Sequence, residues 1–246
     1  MGRRLWSVAS GEPWPAGKRR RLITPDLPFE LVHVGKCGGT SAATELRGRG
    51  FRFDHVHMRR PTYGADRRYV VLVRDPVARF VSAFNWRRHL IAEGSLAAPE
   101  DPVGRLRHEA ERSLLACFAD VGSFAEALVP KPGYDISPPV TMMQVIGHVP
   151  QGFAWYLDGL LRRIEPGQLL GVVAMERFAA DIERLFGFTP VARRNAHAGS
   201  VTEPLSPLGL ANLTRVLAPE YETLAELATI ARRAGTPMSV EYSPAS

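Results

Sequence analysis

In residues 68–73, "RYVVLV", apolar and mostly β-branched side chains follow one another without alternation. A strand with one wet face repeats with a period of two. A strand apolar at successive positions has both faces covered, as central strands of parallel sheets do. "FELVHV" (29–34) and "QLLGVVAM" (168–175) have the same buried character, and "FRFDHV" (51–56) alternates like a short strand. Between them lie helical patterns. "TSAATELRG" (40–48) is rich in helix formers and ends on Gly48, the expected C-cap. Asp75-Pro76 reads as an N-cap followed by proline at the first helical position. Val77, Phe80, Val81 and Phe84 recur behind it at helical spacing. Segments 103–118, 121–129, 151–164 and 176–187 are expected to be helical, and 206–233 to hold two helices joined at Pro219. Strands alternating with helices predict an α/β fold with a central, mainly parallel sheet flanked by helices.

The 246 residues suffice for one large α/β domain or two small ones. With 45% apolar and 23% charged residues, global disorder is excluded. Residues 1–27 are Pro- and Arg-rich without periodicity and read as a loosely structured basic arm; 28–246 read as a single domain. The run 18–21, "KRRR", fits a solvated tail better than a nucleic-acid grip. Only Cys37 and Cys117 occur, so a reducing compartment is the expected one. No stretch approaches the ~18–20 continuous apolar residues of a membrane span. The basic N-terminus lacks the apolar core of a secretory signal, and Trp6 breaks the myristoylation pattern. A cytoplasmic protein is expected.

The formal charge is +6, carried almost entirely by arginine; Lys18, Lys36 and Lys131 are the lysines. An anionic partner and an arginine-biased genome explain this equally well. Either way a lysine inside "VHVGKCGGTS" (32–41) stands out as a compact point charge. A Gly-rich turn between strand and helix exposes backbone N–H groups at the positive end of the helix dipole, which makes an anion site. Gly38 and Gly39 permit the tight turn, and Thr40 and Ser41 add hydroxyls at the first helical turn. A Walker A loop has its lysine after the glycines, whereas Lys36 precedes them. A plain glycine turn with a solvated lysine remains the alternative. In "VVLVRDPVARFVSAFNW" (70–86), Arg74 sits where a strand ends, at the edge where open α/β sheets bind ligands. Ser82 lies two turns into the next helix, on one face with Arg79 and Trp86. Arg74 as a surface ion-pair partner and Ser82 as filler are the competing readings.

The lysine-glycine-glycine-threonine-serine loop after the first strand, followed by "RDPVARFVSAF", resembles the sulfotransferases that use 3′-phosphoadenosine 5′-phosphosulfate, most nearly their carbohydrate-directed branch. The resemblance covers about residues 29–90 and 168–197, including "RRNAH" (193–197); the usual Asn and Thr-Arg are absent from "VTMMQVIGH" (140–148). It implies a P-loop-like three-layer fold. It also implies that Lys36, Cys37, Gly38, Gly39, Thr40 and Ser41 hold the 5′-phosphosulfate, and that Arg74 and Ser82 hold the 3′-phosphate. The product would be 3′,5′-adenosine bisphosphate, formed without a metal. The acceptor would be a hydroxyl-bearing molecule, expected to be a glycan or glycoconjugate.

Sulfuryl transfer needs a cation beside the leaving phosphate, for which Lys36 is the candidate, and a base for the acceptor proton. "FDHVHM" (53–58) offers His55 and His57, placed on one face by the period of two. Some glycan 2-O-sulfotransferases carry the base on the second histidine of such a segment, which selects His57 with His55 as support or substitute. A hydrogen-bonded structural pair is the alternative. His33, His55 and His57 lack a spaced Cys or acidic ligand to complete a metal site. Asp54 is a candidate to orient a histidine, Glu45 a further acidic candidate, and Trp86 and Trp155 are read as packing. A phosphotransferase and a non-catalytic nucleotide- or nucleic-acid-binding protein are the alternatives. The first would need a magnesium ligand and a Walker loop, the last a recognisable binding motif.

Overall fold

A computed structural model of the chain describes residues 22–96, 99–128, 141, 143–191 and 204–244. Its strands are β1 (Phe29–His33), β2 (Phe53–Val56), β3 (Tyr69–Val73) and β4 (Leu169–Ala174). The α-helices, among the described residues, are α1 (Gly39–Gly48), α2 (Pro76–Ala92), α3 (Pro102–Ala116), α4 (Val121–Glu126), α5 (Phe153–Leu161), α6 (Phe178–Phe186), α7 (Pro207–Val216) and α8 (Ala218–Arg233). They gather into two compact units. The first takes the chain up to Arg74, resumes at Phe153 and again runs from Tyr221 to Ser243. The second runs from Asp75 to Gly152 and includes the chain before Tyr221 that holds α7.

The first unit is an all-parallel sheet in the order β2-β1-β3-β4, flanked by helices. Every residue of β1 and β3 is buried, as the unbroken apolar run of β3 requires; β1 also buries Glu30, paired with Arg67, and His33. β2 lies at the edge, and among its four residues Val56 alone is buried. The core joins Leu31, Val32 and Val70 to Val73 with Leu46 of α1, Leu157 of α5, Ile182 and Leu185 of α6, and Leu224 and Leu227 of α8. Each such side chain contributes about 1.5–3 kcal/mol on burial. From β1 the chain moves to one side to form β2, then returns past β1 to form β3 on the other. The strand order therefore reverses between β1 and β3, and the crevice at their carboxyl ends is where open α/β sheets take ligands.

Several boundaries differ from the expected ones. Helix α1 ends at Gly48, but as its last helical residue: Arg49 is the cap, and Gly50 takes the left-handed turn at φ 77°. Gly50 N–H donates to Arg47 O at 3.0 Å and Phe51 N–H to Leu46 O at 3.1 Å, a Schellman ending that tucks Phe51 back onto the helix. The junction expected at Pro219 falls at Leu217. Pro219 sits in the first turn of α8, where its missing N–H has no helical partner to lose. Asp75 caps α2 as expected, accepting from Ala78 N–H at 2.8 Å.

In the second unit, Phe80 and Phe84 of α2 pack with Phe124 of α4, and Leu213 of α7 is fully buried. Arg79 is 1% exposed; it donates to His148 O at 2.9 Å and lies 3.8 Å from the Glu220 carboxylate. Glu111, equally hidden, accepts from Arg87 and from Gly147 N–H. Among the described residues no helix is long and apolar enough to cross a membrane.

Candidate functional site

The turn from β1 into α1 opens at the switch point. Lys36 has φ 70°, a left-handed conformation uncommon for a side chain with a Cβ, and Gly38 follows at φ 75°. Arg74, one residue beyond β3, donates to the Lys36 carbonyl at 3.2 Å and so ties the turn to the neighbouring strand end. Cys37 is fully buried and its N–H donates to Val34 O at 3.2 Å, so it shapes the turn from inside. Ser41 is buried, whereas Thr40 is exposed at the helix start.

Gly38, the N-cap of α1, has no side chain to accept from the first-turn amides, and that turn carries no acidic residue. Most helices satisfy these donors with a cap, so this start suits an external anion. Burial, and after it the charge of Arg74, lower the Lys36 pKa to about 8, with Cys37 acting weakly in the opposite sense. An amine at that value is held in a place that disfavours its charge, and a nearby anion would relieve the penalty. The geometry thus fits a phosphate or sulfate group.

Both glycines also have packing reasons that the sequence did not disclose. A Cβ on Gly38 would lie 2.5 Å from Sδ of Met175, and one on Gly39 would overlap the His33 ring. Met175 follows β4 in a short 3-10 turn and walls the loop together with Phe178.

The histidines form a stack at the carboxyl ends of β1 and β2. Leu31 pairs with His55 and Val32 with Val56, so the next step of the register brings His33 to His57. Their rings are 4.0 Å apart and inclined by 13°. His55 lies beside His33 in nearly the same plane, Nε2 to Nδ1 at 3.0 Å. Arg47 NH2 approaches His55 Nδ1 at 3.5 Å. Burial, then Arg47 and His57, lower the His55 pKa, so this ring is neutral near pH 7. His57 Nδ1 is 3.1 Å from the His33 carbonyl, which can only accept. His57 therefore carries its proton on Nδ1 and, when neutral, its lone pair on Nε2.

Other candidates have different partners. Asp54 pairs with Arg59 at 2.6 Å, and Glu45 with Arg49 at 2.5 Å. Trp155 is half-buried beneath the Arg60 guanidinium, 5.3 Å from the ring centroid, and Trp86 is half-buried on α2. Ser82 is half-buried on α2 and belongs to the second unit. The "RRNAH" segment (193–197) lies outside the described residues. Among those residues no group of three or more His, Cys, Asp or Glu is arranged to hold a metal ion. No family model, curated protein or solved structure matches the chain.

Proposed function

We propose that the chain is a sulfotransferase moving a sulfuryl group from 3′-phosphoadenosine 5′-phosphosulfate to a hydroxyl of a glycan or glycoconjugate. One observation carries this reading. The left-handed Lys36 and an uncapped helix start meet Arg74 at the switch point between β1 and β3, one strand away from the histidine stack. When bound, the phosphosulfate supplies the sulfuryl group and leaves as the bisphosphate. The amides at the start of α1 bind its 5′ end, and the Lys36 ammonium offsets charge on the departing phosphate oxygen. His57 takes the acceptor's hydroxyl proton at Nε2, with His55 in support. Arg74 and Ser82 are assigned to the 3′-phosphate by the resemblance. The reading carries with it a P-loop-like three-layer fold. A cytoplasmic location goes with it.

Calorimetric titration tests the reading. 3′,5′-Adenosine bisphosphate should bind without metal, and more tightly than ATP with magnesium. Preference for ATP with magnesium would replace the proposal with a phosphotransferase. Binding of neither would remove the nucleotide site.

A further inference from the structure

The geometry points to His33 as a positioning residue that holds His57 in one tautomer and orientation and joins it physically to the anion loop. His33 is 5% exposed and serves three neighbours at once. Its carbonyl takes the His57 Nδ1 proton at 3.1 Å, and its ring lies 4.0 Å from the His57 ring and nearly parallel to it. Its Nδ1 faces His55 Nε2 at 3.0 Å. Arg47 can only donate, so its approach to His55 Nδ1 leaves the His55 proton on Nε2. His55 then donates to His33 Nδ1, and the proton of His33 is on Nε2. Each ring's tautomer follows from the next. The charged groups beside His55 include Arg47 from α1, Asp54 on β2 and Arg59 just after it. On its other side His33 fills the space that a Cβ on Gly39 would need, so the ring that fixes His57 also seats the first residue of α1. His33 thus relays the position of the loop to the imidazole that the functional reading makes the base.

Long-range nitrogen–proton spectra of the full chain, labelled at histidine, test this without any substrate. At about pH 8.5, two units above the pKa of free imidazole, wild-type His57 should be in the Nδ1–H form and His55 in the Nε2–H form. His33→Phe keeps a flat ring beside His57 and Gly39 but offers His55 no acceptor. His57 should keep its tautomer there, while the His55 Nε2–H, kept on that nitrogen by Arg47 but without an acceptor, should exchange faster with water. In His33→Ala the backbone carbonyl of residue 33 still accepts from His57 Nδ1, so the tautomer should stay, but the His57 ring loses the ring it packs against and its signals should shift and average. An Nε2–H His57 in the wild type would overturn the proposal, as would a His57 ring in His33→Ala whose signals match the wild type's. Should the alanine variant not fold, the wild-type and phenylalanine spectra still decide. A stoichiometric shift of all three rings on adding zinc would also overturn it, by making the stack a metal site. Turnover is the second readout and rests on the sulfotransferase reading: kcat of His33→Ala should fall by ~10²-fold, the scale of a misplaced catalytic group, with bisphosphate affinity unchanged. Correct tautomers in a chain that transfers no sulfuryl group would refute the functional reading and leave the positioning role of His33 intact.

Discussion

Arg74 and Lys36 meet through the backbone: the guanidinium that follows β3 donates to the Lys36 carbonyl at 3.2 Å. One cation therefore holds the turn that presents the other, and each raises the local demand for an anion. Arg74→Ala should loosen the turn and erase most of the preference for 3′,5′-adenosine bisphosphate over adenosine 5′-phosphate. That preference should be ~1.5–3 kcal/mol in the wild type, the scale of charge-assisted hydrogen bonds. Calorimetry with the two nucleotides measures it, and equal preference in variant and wild type would take Arg74 out of the site.

Lys36→Ala should lower turnover much more than bisphosphate affinity, because its charge matters most as the leaving oxygen becomes anionic. The loss should be ~10²–10³ in kcat. Lys36→Arg should rescue poorly, since a broad fork does not replace a point charge in a turn this tight. Near-normal turnover in the alanine variant would leave the loop a structural turn alone.

The lowered Lys36 pKa, about 8, sets a sign for two pH effects. An anion beside the amine favours its charged form, so bisphosphate binding above about pH 8 should take up a proton, and affinity should fall as the pH rises through that value. Calorimetry in buffers of different ionisation enthalpy detects the uptake. In the free protein the folded state disfavours the charged amine relative to the unfolded chain. This penalty is fully present below about pH 8 and disappears toward the ordinary lysine value of 10.5. Over that window the contribution of Lys36 to stability rises with pH. Denaturant unfolding of wild type against Lys36→Met should show the difference shrinking from pH 8 upward.

His57→Ala should reduce turnover by ~10²–10⁴, the range for losing a general base, and leave bisphosphate affinity close to wild type. His55→Ala should cost less, because His55 sits behind His33 and holds its proton toward it. Steady-state kinetics on both variants decide; a larger loss at His55 would exchange the two roles.

In the second unit, Arg87→Met would leave the Glu111 carboxylate buried against Gly147 N–H without its bidentate partner. Breaking a buried pair in this way costs ~3–5 kcal/mol, whereas replacing both members with apolar residues costs less. Denaturant midpoints of Arg87→Met and of Arg87→Met/Glu111→Leu should therefore differ, with the double variant the more stable.

Much of the sheet was legible because its strands are buried on both faces, which leaves an unbroken apolar signature in β3 and β4 and a partly apolar one in β1. The Asp75-Pro76 start of α2 was legible for a local reason, a side chain capping its own backbone. The turn after β1 was recognisable by composition, but the left-handed Lys36 was not, since nothing in a lysine's neighbours announces a positive φ. Met175 and His33 escaped for a different reason: their roles depend on which strands lie side by side. The parity of "FELVHV" places His33 on the face of Leu31. Only the register, Leu31 against His55, turns that parity into contact with the His55 and His57 pair.

A hydrogen atom is the largest substituent that position 39 accepts while an imidazole occupies position 33. The two sites therefore cannot vary independently. Any chain descended from this one can keep a ring at 33 or gain a side chain at 39, but an intermediate holding both must push the start of α1 off the sheet. The route to a side chain at 39 passes first through a smaller residue at 33, and so through loss of the histidine stack before any change at that place in the loop. The cluster at the ends of β1 and β2 and the turn that follows β1 are in this sense inherited as a single unit.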